Sequence, residues 1–410
     1  MTRSPLWTKN FTIITVGSLI SMMGNAVTKF ALGRLIYDQT ESTLLYSLFL
    51  FTSTFARVVV PLVAGPYLDR VSRRDTIIRV DLFYTAMFLV LSVLTTAQVF
   101  NYPLFQLIAI VLGCADSLYS VAYDSFYPEL IAPGNFSKAY SIGSLIYPLA
   151  NTVMVPVANM IYDSVGIPPL FYFCTVAFFA TQWVERKIDV QEKHLLPGAQ
   201  RQARPGFFSG FKEGLAYLKG EKGLIAITAY FFINTLVSAF PETLQLPYFT
   251  EHPVYTVQMY SYLISANTIG RLIGGMVHYR FHFPTQWKYR LAICSYTITG
   301  LTSAFLLFVP YPVMLLFMLI NGMIAVTSFN IRISGTQNHV PGHLRARFNS
   351  LFSVISTGGM LMGQLMAGAL GEGVSIRAML LIVESLNIAA AFAIMLPAKK
   401  YVKAVYNQDI

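Results

Sequence analysis

Charge is scarce in this chain: Asp, Glu, Lys and Arg together make up 12% of its 410 residues, against 55% hydrophobic. A soluble globular domain carries roughly 25% charged residues, so an ordinary water-soluble fold is excluded. Cysteine is scarcer still. The three, Cys114, Cys174 and Cys294, are odd in number and all fall inside apolar runs. That rules out a disulfide framework and leaves them as packing residues. Among the six histidines, His278 and His282 have the i,i+4 spacing of a metal pair, with no carboxylate or cysteine beside them, and no metal is assigned. Gly-x-Ser-x-Gly, His-Glu-x-x-His and the Gly-x-x-x-x-Gly-Lys-Ser/Thr phosphate loop are all missing. The chain is therefore read as no enzyme, with no cofactor. No polar stretch is long enough for a soluble sensing domain, which disfavours a receptor.

What the chain does have is long apolar runs. A helix needs about 20 apolar residues to cross a hydrocarbon core of about 30 Å. Runs of that kind occupy 11–37, 44–66, 77–99, 104–127, 138–161, 168–186, 222–250, 255–280, 288–309, 313–337, 345–370 and 374–397. The expected fold is an all-α membrane protein with twelve transmembrane helices in two pseudo-symmetric six-helix bundles. The first bundle is expected over 1–186, a cytoplasmic linker over 187–221, and the second bundle with a short tail over 222–410. No small-residue cleavage site precedes the first run, so no removable signal peptide is expected.

A formal net charge of +10 invites a nucleic-acid reading, and its distribution answers it. Lys and Arg crowd alternate loops: Arg70, Arg73 and Arg74 after the second span, a run from Arg186 to Lys222 in the middle, then Arg280, Lys288, Arg290, Arg345 and Arg347. The loops 38–41, 101–103, 163–168, 250–255 and 310–312 carry none. This is the positive-inside pattern of a multi-pass protein, not a footprint for nucleic acid. It predicts both termini in the cytoplasm, with the cell membrane as location.

The central polar stretch, about 185–222, contains Pro197, Gly198, Pro205 and Gly206. Within it Phe207, Phe208, Phe211, Leu215 and Leu218 recur at helical spacing beside Lys212 and Lys219. That spacing suggests either a short amphipathic helix on the membrane face or a solvated linker helix. The two halves echo one another. Pro133-Gly134 before the fifth span and Pro341-Gly342 before the eleventh stand 208 residues apart, and Gly65 and Gly275 open similar loops 210 apart. Parallel repeats of this kind place a substrate site at their interface near the bilayer midplane.

The loop Gly65-Pro-Tyr-Leu-Asp69-Arg70-Val-Ser-Arg73-Arg74 resembles the major facilitator superfamily motif Gly-x-x-x-Asp-Arg-x-x-Arg-Arg, in its expected place between the second and third spans. Met23-Gly24-Asn25, Phe30-Ala31-Leu32-Gly33, Thr40 and Pro128-Glu129-Leu130 are similar to the branch containing macrolide-type drug effluxers and siderophore exporters. The fourth span lacks that branch's usual Arg-bearing motif, and the fifth, with Pro148 and Pro156, lacks the Gly-rich antiporter pattern. The resemblance implies a monomeric transporter whose loop network, Asp69, Arg70 and Arg73, stabilises one state of an alternating-access cycle. Residue types alone let Arg70, Arg73 and Arg74 pair with carboxylates such as Glu129, and let Asp69 accept from a helix N-terminus.

At 100° per residue, Ser18, Ser21, Asn25, Thr28 and Lys29 share one face of the first span, and Asp116, Tyr119, Ser120, Tyr123, Asp124 and Tyr127 one face of the fourth. Tyr230, Asn234, Ser238 and Gln245 align on the seventh with Glu242 at the margin, and Asn321, Ser328 and Arg332 on the tenth. The family resemblance implies that these four helices line the central cavity. A charge at the centre of a lone helix costs about 2.5–3.5 kcal/mol to insert, so Lys29, Arg57, Asp116, Asp124, Glu242, Arg271, Arg332 and Glu384 are expected to face water, substrate or one another. Structural ion pairing is the competing reading for each. Arg57 and Arg271, on the second and eighth spans, are candidate gate or anion contacts. Asp116 is the first candidate for proton coupling and Glu242 the second. The expected function is proton-coupled export of a small amphipathic or zwitterionic compound, such as a drug or siderophore-like metabolite. Its partners are that small molecule, protons and the lipid bilayer. An importer, a facilitator or a lipid flippase is the alternative.

Overall fold

The computed structural model describes residues 6–68, 70–132, 135–190, 192, 207–280 and 284–407. Asp69, Pro133, Gly134, His282 and the linker's Pro197, Gly198, Pro205 and Gly206 lie outside the described residues. Among those described there is no strand. The helices are α1 (Lys9–Thr40), α2 (Thr43–Leu68), α3 (Arg73–Thr96), α4 (Tyr102–Phe126), α5 (Phe136–Val165), α6 (Pro168–Glu185), α7 (Phe207–Gly220), α8 (Lys222–Glu251), α9 (Val257–Arg280), α10 (Lys288–Ala304), α11 (Tyr311–His339), α12 (Gly342–Gly371), α13 (Ile376–Met395) and α14 (Lys399–Tyr406). The ends of the long helices fall within about five residues of the apolar runs read from sequence.

Local chemistry sets these ends. The Thr8 hydroxyl accepts from the Phe11 amide at 3.2 Å, Ser72 from Asp75 at 3.0 Å, and Asn101 from Leu104 at 3.1 Å, each satisfying a free N–H at a helix start. Glu41 ends α1 in the left-handed region at φ 49°, and Gly166 ends α5 at φ 88°.

Nine helical segments among the described residues are long and apolar enough to cross a membrane. They are α1, Thr43–Pro61 of α2, α3, Tyr102–Leu130, α8, Thr285–Phe308, α11, Arg347–Gly371 and α13. Helices α5, α6 and α9 fall outside that set. Helix α9 carries Asn267, Arg271 and His278 along its length, and α5 carries Pro148 and Pro156.

The chain forms two compact units, Met1–Glu41 with Phe49–Ala203, and Ser42–Leu48 with Arg204–Ile410. In the first, α3 and α6 meet along an aromatic seam: Tyr84 and Phe178 rings are 4.8 Å apart, Phe88 and Phe178 5.3 Å. Gly24 gives the Phe178 ring room against α1, since a Cβ there would lie 2.8 Å from it.

In the second unit, backbone meets backbone where side chains are absent. A Cβ on Gly270 would lie 2.0 Å from the Leu319 carbonyl oxygen, and one on Gly322 2.0 Å from that of Asn267, so α9 and α11 pack in close contact. Gly359 and Gly363 do the same for α12 against α8. The small-x-x-x-small spacing thus serves packing inside one unit.

Helix α7 docks on α12. Glu213 pairs with Arg347, a Cβ on Gly214 would lie 3.0 Å from the Arg347 carbonyl, and Leu218 is buried in the unit's core with Phe211 against it. The tail after α13 also folds: α14 buries Val402, Val405 and Tyr406, and Tyr406 and Tyr296 hydroxyls are 3.1 Å apart. Burial, with the Tyr296 hydroxyl beside it, pushes the Tyr406 phenol well above the ordinary range. Tyr406→Phe removes one of the two hydroxyl partners of the buried Tyr296, the other being Ser328, and is expected to lower stability by about 1 kcal/mol, read as a lower thermal midpoint of the purified protein. An unchanged midpoint would show that the pair contributes nothing.

Candidate functional site

Three of the sequence candidates meet in the first unit. Arg57 on α2 and Asp116 on α4 stand 3.8 Å apart, with side chains 62% and 37% exposed. Lys29 on α1, itself exposed, is an electrostatic neighbour of the same carboxylate. Asn25 lies one helical turn before Lys29, half-buried. A pair this open contributes about 0–1 kcal/mol to stability, less than the roughly 2.5–3.5 kcal/mol each charge costs at the centre of a lone helix. That one pairing therefore does not account for keeping Arg57 and Asp116 on these helices. Two exposed cations and a half-open carboxylate thus stand together on three apolar helices.

The tyrosines of α4 sit deeper than this cluster. Tyr119 is buried and stacks on Tyr123 at 6.0 Å, which stacks on Tyr127 at 5.2 Å. Ser18 of α1 donates to the Tyr123 hydroxyl at 2.9 Å. The tyrosines of the stripe thus pack along α1, while Ser120 and Asp124 of the same stripe are exposed.

Near it the structure holds two carboxyls that the sequence reading passed over. Asp81 on α3 is fully buried and Glu185, the last residue of α6, is 1% exposed. Each is the other's electrostatic neighbour. Gly17 of α1 makes the space, since a Cβ there would lie 2.7 Å from Glu185 Oε1. A lone acidic residue inside the apolar third span was the available signal for Asp81. Glu185 was hidden because it abuts the charged linker.

The loop motif builds a network at one end of the first unit. Arg73 donates to Glu129 at 2.8 Å and to the Ser125 carbonyl at 3.1 Å, and Arg74 donates to the Arg186 carbonyl at 2.6 Å. Arg70 is exposed, and Gly65 lies in the last turn of α2. Glu192 closes the network: its carboxylate accepts from the Ser72 hydroxyl and from the Arg73 amide at 2.8 Å, on the positive N-terminus of α3. Nothing periodic in the linker singles Glu192 out.

Candidates in the second unit are dispersed. Glu242 neighbours Tyr260 and Tyr46, and Asn234 donates to Tyr230 at 3.4 Å. Arg271 is exposed and its Nε donates to Asn267 at 3.2 Å. Asn321 is buried against α10, donating to Ser303 at 3.2 Å and accepting from Thr302. The Arg332 guanidinium lies 4.6 Å from the Phe352 ring centroid and 5.2 Å from those of Phe231 and Phe329, a cation–π enclosure.

Comparison with known proteins fits this helical frame. The model of the family described as transmembrane secretion effector, within the major facilitator superfamily, matches residues 1–407. Macrolide efflux protein A of Streptococcus pyogenes is 21% identical over 312 residues, 74% of this chain and 76% of that protein. The crystal structure of the nucleoside transporter NupG superposes with a TM-score of 0.73 at 13% identity, over 95% of this chain and 99% of that one. A bacterial homologue of the iron transporter ferroportin, in its inward-facing state, gives 0.66 at 14% identity, over 96% and 98%. At these identities the solved structures share the fold.

Proposed function

Because the chain belongs to the transmembrane secretion effector family of the major facilitator superfamily, we propose that this transporter is a proton-coupled exporter of a small amphipathic or zwitterionic compound, with macrolide-like drugs as the first substrates to try. It works by alternating access. The cluster of Lys29, Arg57 and Asp116 carries this reading: ionisable groups gathered on apolar helices engage a polar cargo, and the carboxylate among them can take up and release a proton. In this reading α5, α6 and α9 also cross the bilayer. Twelve spans then form two six-helix bundles, over 1–186 and 222–410, joined by the linker 187–221. Both termini face the cytoplasm, as the Lys and Arg asymmetry of the loops supports, and the protein acts as a monomer in the cell membrane.

Asp116→Asn keeps the side chain's shape and removes its exchangeable proton. We expect that variant to bind a radiolabelled macrolide with near-normal affinity while pH-gradient-driven flux of the same compound into everted vesicles is abolished. Full uphill flux by Asp116→Asn would remove Asp116 from the coupling step.

A further inference from the structure

The geometry points to a proton-binding site distinct from Asp116, formed by Asp81 of α3 and Glu185 of α6. Both side chains are buried inside the first unit, at 0% and 1% exposure. None of their four carboxylate oxygens receives a hydrogen bond from any described donor. Neither belongs to an ion pair among the described residues; the charge beside Asp81 is that of Glu185, and the side-chain partner of Glu185 is Asp81.

Two ionised carboxylates in this position would be acceptors without a donor and like charges without a cation. The cost of burying one unpaired charge is already several kcal/mol, and a second beside it adds repulsion. One arrangement relieves both terms. A proton on one carboxyl turns it into an O–H donor to its neighbour, and the pair then satisfies itself. Helices α3 and α6 pack along much of their length, so the two groups are held together by the Tyr84, Phe88, Phe171 and Phe178 seam rather than by their own attraction.

Among the described residues the groups beside the pair carry hydroxyls rather than cations. The neighbouring α1 presents Ser21 and Gly17, and α4 presents Tyr119 and, beyond it, Tyr123; Glu185 and Asp81 are electrostatic neighbours of Tyr119. The hydroxyl oxygens of Ser21 and Tyr119 and the side-chain oxygen of Gln182 on α6 are themselves buried without a hydrogen-bond partner. Tyr84, one turn along α3 from Asp81, is a neighbour of Asp81, Asp116 and Arg57 alike. Titratable groups facing the pair are thus Tyr84, Tyr119 and Tyr123, with Asp116, Arg57 and Lys29 in the next layer. Asp81 lies eight residues into α3, about 12 Å from the helix end that bears the Arg73 network.

Proton binding by the pair stands on this geometry alone; its use in driving transport rests on the reading given under Proposed function. The test is the infrared carbonyl band of the whole protein in lipid vesicles at neutral pH, recorded in H2O and D2O. Wild type minus the double variant Asp81→Asn/Glu185→Gln is expected to show a protonated-carboxyl band that shifts in D2O. Wild type minus Asp116→Asn is expected to lack that band. Superposable spectra of wild type and double variant would overturn the proposal. Both replacements are near-isosteric and leave no cation unpaired, so the double variant is expected to fold; a monodisperse gel-filtration profile checks this. If it does not fold, Asp81→Glu, which keeps a carboxyl but moves it, is expected to shift the band, and an unmoved band overturns the assignment. Macrolide flux separates the two readings: loss of gradient-driven flux in Asp116→Asn alone leaves coupling at Asp116 and removes the pair from it. Absence of gradient-driven flux in wild type removes the transport reading and leaves the band to decide the pair.

Discussion

Gly359→Ala is expected to destabilise the second unit severely, while Gly358→Ala, one residue earlier, is expected to be neutral or slightly stabilising. A Cβ on Gly359 would lie 2.3 Å from the Phe232 carbonyl oxygen and 2.7 Å from Thr235 Oγ1; on Gly358 it would meet nothing within 4 Å. The Phe232 oxygen is backbone and cannot rotate away, so α12 has to move off α8. That movement also strains the 2.7 Å hydrogen bond from Thr235 to the Ser356 carbonyl. Overpacking of this kind costs about 1–3 kcal/mol and more where backbone is struck, and the upper end applies here. At Gly358 only helix propensity acts, a gain of about 0.5–1 kcal/mol. Fluorescence-detected thermal unfolding in detergent separates the two. Equal midpoints for both variants would contradict the packing of α8 on α12.

The second large effect concerns the Arg73 network. Arg73 and Glu129 are 13% and 16% exposed and 2.8 Å apart, so removing one partner leaves the other's charge largely buried. Arg73→Ala is expected to cost about 3 kcal/mol, near the lower end for breaking a buried pair. Glu129 Oε2 already lacks a partner, which leaves the stranded carboxylate without compensation. The double variant Arg73→Ala/Glu129→Ala is expected to recover part of the loss, because no unpaired charge remains. Thermal midpoints of the four proteins complete the cycle. Additive losses would mean that the two side chains act independently.

The apolar runs located the long helices because hydrophobic length is a one-dimensional property that any window along the chain detects. Faces were harder to read. Periodicity aligned Tyr119 and Tyr123 with Asp116, yet the tyrosines are packed between α1 and α4 while Asp116 stays half-open, because a stripe broad enough to hold six residues turns partly inward. The aligned Asn321 and Arg332 likewise turn to α10 and to three phenylalanines. Asp81 and Glu185 escaped for the opposite reason: a pair formed across two helices 104 positions apart in sequence has no spacing to find. Gly359 and Gly363 could be read as close-packing residues, and only the fold identifies α8 as the partner.

Coupling of cargo movement to protons is read from the luminal pH of proteoliposomes, reported by a trapped dye under an imposed proton gradient before and after a macrolide is added. A compound-dependent proton flux is expected in wild type and none in Asp116→Asn. A luminal pH indifferent to the macrolide, while the labelled macrolide still crosses the membrane, would contradict that coupling.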